Sequence, residues 1–215
     1  ISGGVIGNET VTFDQDGYLG AIGMAYALEI TPRISLGVTM NVWTDALGIR
    51  NGWDENVRTT STINAINNPL IGLIPVDPPQ VLDIQTRDEY EDFTGINWNL
   101  GILWDINRYF TVGAILKTPF WGDLDHRFVQ TVRDETGSLV SSTTIDESAE
   151  LRLPMSYGAG ISCRFNDRFS MALDAYRTDW SDYTFKDGEG NEFSPIDGRP
   201  IETSDVEDTT QVRLG

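Results

Sequence analysis

Between positions 34 and 42 apolar side chains occupy every even position (Ile34, Leu36, Val38, Met40, Val42), while Ser35, Gly37, Thr39 and Asn41 fill the odd ones. A period of two puts successive side chains on opposite faces, so the segment predicts a half-buried strand. The same alternation runs through 18–30, 95–106, 110–117 and 151–165, and starts again at Phe169. The connections Thr31-Pro32-Arg33, Asn107-Arg108-Tyr109 and Asn166-Asp167-Arg168 are short enough to join only antiparallel neighbours. Six strands in three hairpins are therefore expected, with the start of a seventh at 210–215.

The remaining connections are of a different kind. Long polar or acidic stretches at 46–92 and 182–209 read as loops, and only the link at Glu135-Thr136-Gly137-Ser138 looks like a turn at the end of long strands. Tight turns at one end and long loops at the other are the layout of a membrane barrel. The two faces agree with it. One carries Gly, Ser, Asn, Thr, Asp and Arg, too polar for a sandwich core; the other is uniformly apolar. Trp104, Phe110, Phe165 and Phe169 sit on that apolar face beside the turns, where an aromatic girdle belongs. The expected class is all-β, a transmembrane antiparallel up-and-down β-barrel. A soluble β-sandwich or lipocalin-like barrel is the alternative that alternation alone leaves open.

Composition narrows the chemistry. The chain has 215 residues, with 33 acidic against 15 basic side chains and a formal charge of -18, which argues against a nucleic-acid surface. A hydrophobic content of 40% is enough for folding. One cysteine, Cys163, and one histidine, His126, exclude an internal disulfide and leave little for zinc or histidine-based catalysis. No enzyme activity, cofactor or metal is expected. No run of about 18 apolar residues is present, which removes a membrane helix but not a barrel, whose strands are apolar only at alternate positions. Seven strands fall short of the eight in the smallest single-chain barrels, and an open edge in lipid leaves backbone groups unpaired. Residues 1–215 are thus expected to be one partial barrel domain, an internal segment of a larger one.

Several segments resemble the FadL-type outer-membrane transporters. They are 25–37 (Ala-Tyr-Ala-Leu-Glu-Ile-Thr-Pro-Arg-Ile-Ser-Leu-Gly), 98–104 with Asn107-Arg108-Tyr109, Leu151-Arg152-Leu153-Pro154, Tyr157-Gly158, Thr178-Asp179-Trp180-Ser181 and Val212-Arg213-Leu214-Gly215. The resemblance implies a fourteen-stranded monomeric barrel in the outer membrane of a Gram-negative bacterium, in contact with lipid and lipopolysaccharide. It also implies passive uptake of hydrophobic small molecules such as long-chain fatty acids or aromatic hydrocarbons. A general porin, a structural barrel and a secreted lipid-binding β-domain are the other readings.

Candidate ligand-binding residues follow from that expectation. The run Pro69-Leu70-Ile71-Gly72-Leu73-Ile74-Pro75-Val76 is apolar within a polar segment, so Leu70, Ile71, Leu73 and Ile74, helped by Trp53, are expected to line a capture groove. Their other reading is packing onto the rim. Lys117, Arg127, Arg152 and Arg164 point inward by parity, and Lys117 and Arg152, taken as lying on neighbouring strands, are candidates for a carboxylate. Inward acids such as Glu29, Asp105, Asp123, Glu150 and Asp174 are their competing partners. The acidic stretch 187–192 has weak calcium-loop character, His126 reads as a rim residue, Cys163 as a small lipid-facing one, and Pro119 as an interruption of its strand.

Overall fold

The computed structural model describes residues 4–48, 50–68, 72–166 and 168–215. Thirteen strands are present among them: β1 (Gly4–Tyr18), β2 (Ala21–Thr31), β3 (Ile34–Trp43), β4 (Gly52–Asn68), β5 (Gly72–Asp105), β6 (Phe110–Lys117), β7 (Phe120–Asp134), β8 (Leu139–Leu153), β9 (Ser156–Asn166), β10 (Phe169–Thr178), β11 (Thr184–Lys186), β12 (Glu192–Phe193) and β13 (Thr209–Leu214). The described helical structure is limited to single 3-10 turns. The chain divides into two compact units. One comprises 1–18, 52–91 and 125–147; the other comprises 19–51, 92–124 and 148–215.

The second unit contains the wall that the alternation predicts. All its pairings are antiparallel, in the order β2, β3, β5, β6, β9, β10, β13. The tight turns are held by their own side chains. Asn107 Oδ1 accepts from the backbone N–H groups of Tyr109 and Phe110 (2.8 and 3.1 Å), and Asn166 Oδ1 does the same for Arg168 and Phe169 (2.9 and 3.0 Å). This is the local bonding that makes Asn a turn residue. Asp167 of the third turn lies outside the described residues.

Register aligns like faces across the wall. On the apolar face Trp104, Val112, Ile161, Leu173 and Leu214 form one cross-strand row. All of these but half-buried Val112 are exposed, as are the girdle aromatics: Trp104 is 46% accessible, Phe165 53% and Phe169 53%. Only five apolar residues of the described chain are buried (Ala65, Phe93, Leu124, Ala149, Leu151), the reverse of a soluble protein of this length. Such a face belongs in lipid. Among the described residues, the edge strands β2 and β13 each have one neighbour.

Two prolines interrupt neighbouring strands of this sheet. The strand stops at Lys117, resumes at Phe120 after Pro119, ends at Leu153 before Pro154, and re-enters at Ser156. Pro lacks the ladder donor and cannot continue central pairing. β6 pairs with β9, Lys117 opposite Ser156, and beyond the prolines β7 pairs with β5 and β8 in the same sheet. The two passes of the chain joined at Gly137 thus stay neighbours, as expected, with Arg152 on β8 lying before Ser156 and opposite Thr184 of β11 on its other side.

In the first unit, β1 pairs with β4 and β4 with β5. The expected long connection at 46–92 is thus largely paired strand, and β1 is a strand that the alternation did not indicate. Cross-strand polar pairs hold it: Thr10 faces Thr60, Gln15 Nε2 donates to Glu55 Oε1 (3.0 Å), and Arg58 forms a two-pronged pair with Asp83 (2.8 and 2.9 Å). Threonine-rich strands with polar groups on both faces pair well yet show no period-two signal.

Candidate functional site

The lumen-side face of the wall is the first candidate. Four cross-strand rows can be read from the register. Asn99, Lys117 and Ser156 form the row nearest the proline interruptions; Gly101, Ile115, Gly158 and Tyr176 come next; Leu103, Gly113, Gly160 and Asp174 follow; Asp105, Thr111, Ser162 and Ala172 lie nearest the turns. The middle two rows bound an open trough of about 430 Å³. Glycines make its floor. A Cβ at Gly158 would lie 2.7 Å from Cδ2 of Tyr176, so its absence is what lets the Tyr176 ring lie against the sheet. Leu103 and Ile115 supply the apolar walls, so one stretch of an otherwise polar face is greasy.

Below the trough lies a polar pocket of about 480 Å³, lined by Arg33, Asp105, Asn107, Arg108, Tyr109, Thr111, Ser162 and Arg164. Asp105 accepts from the Thr111 hydroxyl (2.6 Å), and Arg108 lies over the Tyr109 ring at 4.5 Å. Lys117, at the opposite end of the trough, forms no ion pair among the described residues.

At the far end of β3 and β5, Trp43, Phe93 and Phe120 form an aromatic cluster. Trp43 meets Phe93 edge-on at 5.9 Å and stacks on Phe120 at 5.7 Å, and its Nε1 donates to Asn97 Oδ1 (2.9 Å). Phe93 is fully buried. Beside it, buried Asn51 exchanges two hydrogen bonds with the Gly20 backbone, and its own carbonyl accepts from Phe93 N–H (3.0 Å). The alternation alone singles out none of these residues. Their signal would have been an aromatic on the polar parity of a barrel strand, which Trp43 is.

The residues expected to capture ligand fall in different places. Leu70 and Ile71 lie outside the described residues. Leu73 and Ile74 are exposed, Ile74 directly opposite exposed Ile66. Trp53 is not with them. It stacks on Tyr90 (4.3 Å), thirteen positions along β4 from Ile66, roughly 40 Å at strand rise. Arg152 is bound to Asp182 (3.2 and 3.4 Å), with Trp121 6.0 Å from its guanidinium. Arg127 faces Asp146 at 3.4 Å and Glu89 at 3.9 Å. The Asp187 carboxylate holds its own turn through the backbone N–H groups of Glu189 and Asn191, leaving the calcium reading without support.

His126 is clamped rather than marginal. Its ring stacks on Tyr90 at 4.6 Å, Nε2 lies 3.0 Å from Asp88, and Nδ1 lies 3.0 Å from Glu147. Burial opposes the imidazolium, but the hydrogen bonds and charges of Asp88 and Glu147 outweigh it and hold the pKa above its ordinary 6.5. A raised folded pKa gives stability that is complete below about 6.5 and is lost as pH rises through the folded value. Amides near 126 and 147 should therefore exchange faster at pH 9 than at pH 6 beyond the intrinsic rate increase, and His126→Gln should abolish the difference.

A wall of alternating strands, apolar and exposed on one face with a polar and partly greasy face behind it, defines an outer-membrane β-barrel protein. The chain belongs to the outer membrane protein transport protein family (OMPP1/FadL/TodX), whose model matches residues 16–192. Among solved structures it is similar to the CymD monoaromatic hydrocarbon channel, at 15% identity and a TM-score of 0.45 over 97% of this chain and 68% of that one. It is also similar to the Pseudomonas putida toluene transporter TodX, at 12% identity and a TM-score of 0.45 over 96% and 68%. No curated protein matches the chain.

Proposed function

We propose that the chain forms part of a channel that admits hydrophobic small molecules across the outer membrane by passive, binding-driven diffusion, the cargo being of the fatty-acid or aromatic-hydrocarbon kind. The observation that carries this reading is the glycine-floored apolar trough on the lumen-side face. A pore for polar solutes gains nothing from Leu103, Ile115 and the flattened Tyr176 ring there, whereas an apolar cargo gains a place to leave water. The apolar rows contact lipid and lipopolysaccharide in a monomeric barrel.

Capture is proposed to begin at Leu70, Ile71, Leu73 and Ile74, of which Leu73 and Ile74 are exposed, with Trp53 acting farther along β4. Lys117 is proposed as a lumen cation with no ion pair among the described residues, and Arg152 is already engaged by an acid. Full-length protein reconstituted in liposomes should pass a radiolabelled fatty acid or toluene down its gradient with no energy source. A barrel that conducts small sugars and ions but neither hydrophobic probe would return the reading to a porin. Replacing Leu70 and Leu73 together by Asp should reduce uptake by cells several-fold at unchanged surface expression; full uptake would remove the tip from the path.

A further inference from the structure

The apolar face of the wall carries aromatic side chains at both ends. Tyr157 lies opposite Leu116 on that face, and Trp98 shares the face with Trp104, an even number of positions along β5; both are exposed. From Phe165 to Tyr157 along β9 is about 26 Å of strand, or roughly 20 Å across a membrane at the usual tilt, close to the height of a barrel's apolar band. Trp121 joins this second row from β7. Phe120 stacks on Trp43 at the lumen-side face, and a Cβ at Gly122 would strike the Phe93 ring of the same cluster, so Trp121 between them points outward, where it is exposed.

Two cations gather at this indole. The Arg152 guanidinium lies 6.0 Å from the ring centre and the Lys186 ammonium 5.9 Å, brought there by β8 and β11, which set Arg152 opposite Thr184 and Glu150 opposite Lys186. Each has an acid beside it: Asp182 accepts from Arg152 at 3.2 and 3.4 Å, and Glu150 from Lys186 at 3.1 Å. Both pairs are open to solvent, where an ion pair contributes little and exchanges partners readily. They also leave three of the five guanidinium donors and two of the three ammonium donors for another acceptor.

From this geometry we infer that Trp121, Arg152 and Lys186 form a docking site for the phosphorylated sugar headgroup of lipopolysaccharide, with a phosphate taken by the two cations and sugar against the indole. The inference rests on the proposed contact of the apolar rows with lipopolysaccharide and names the residues that make it specific. Position chooses the occupant. The cluster stands on the outward face, away from any cargo in the lumen, and at the end of the apolar band opposite the tight turns, where the headgroups of the outer leaflet lie. Chemistry agrees, since an indole offers an apolar ring to a sugar while guanidinium and ammonium bind phosphate.

The test uses full-length protein in detergent with EDTA present, titrated with lipid A, an acylated and phosphorylated glucosamine disaccharide, and with phosphatidylglycerol, which has a phosphate but no sugar. The wild type should bind lipid A about tenfold or more tightly than phosphatidylglycerol, and the double variant Arg152→Gln, Lys186→Gln should lose that preference while still binding phosphatidylglycerol. Trp121→Ala, at an exposed position and outside both ion pairs, should weaken lipid A about fivefold. Lys117→Gln, on the lumen-side face, should change neither lipid.

Equal affinity of the wild type for the two lipids, or an undiminished preference in both the double variant and Trp121→Ala, would overturn the site. Binding of lipid A only when magnesium replaces EDTA would do so too, because the contact would then belong to the acids through a bridging metal. If the apolar rows did not face lipid at all, wild type and variants alike would bind neither lipid, which separates failure of that reading from failure of the site.

Discussion

Phe93→Ala is expected to destabilise the folded protein by about 3–5 kcal/mol, the range for removing a large buried aromatic side chain. Phe93 is fully buried and meets Trp43 and Phe120 at ring distances of 5.9 and 6.2 Å, so its loss leaves a cavity that two rigid rings cannot fill. A second substitution reaches the same cluster from the other side. Gly122 lies under the Phe93 ring, and a Cβ there would sit 2.3 Å from Cε2 and 2.4 Å from Cζ, with the Thr94 carbonyl at 3.0 Å. Gly122→Val should expel the ring and approach the cost of Phe93→Ala. The check is the temperature at which full-length protein in detergent loses its compact electrophoretic form. Both variants should lose it well below wild type, while Phe165→Ala, at an exposed position on the lipid face, should not. Equal transitions in Phe93→Ala and wild type would show that the cluster contributes nothing to stability.

How far the sequence reached can be seen element by element. The wall strands were legible because one face meets lipid, so every second residue from Ile34 to Val42 had to be apolar. The turns were legible because Asn107 and Asn166 bond their own backbones. β1 and β4 were not, since both their faces are polar and their pairing rests on Thr–Thr, Gln–Glu and Arg–Asp contacts that carry no period. Pro119 interrupts its strand as the missing ladder donor predicts, and Pro154 interrupts the neighbouring strand beside it, so that β6 pairs with β9 and β7 with β8. The trough escaped notice because Leu103 and Ile115 are single apolar residues on a polar parity, and only the register sets them beside Gly113, Gly158 and Tyr176.

Asn51 is the least legible of the structural residues and the one whose replacement should be most informative. It lies in no strand, is wholly buried, and holds three passes of the chain: its amide exchanges two hydrogen bonds with Gly20, its N–H donates to Asp45 (3.0 Å), and its carbonyl accepts from Phe93 N–H. Asn51→Leu keeps roughly the volume but leaves the Gly20 N–H and C=O unpaired at about 1–3 kcal/mol each, so a loss of roughly 2–5 kcal/mol is expected. Asn51→Asp separates hydrogen bonding from size. An ionised Asp can still accept from Gly20 N–H, but it sets a second oxygen against Gly20 C=O and buries an unpaired charge, so at neutral pH it should be at least as damaging as Leu. Burial raises the pKa of that carboxyl, and protonation restores the missing donor. Asn51→Asp should therefore regain stability relative to Asn51→Leu as pH falls through the raised value, read as the thermal transition of each variant between pH 8 and pH 4. Parallel curves for Asp and Leu would mean that the amide donor to Gly20 is dispensable and that Asn51 acts only by filling space.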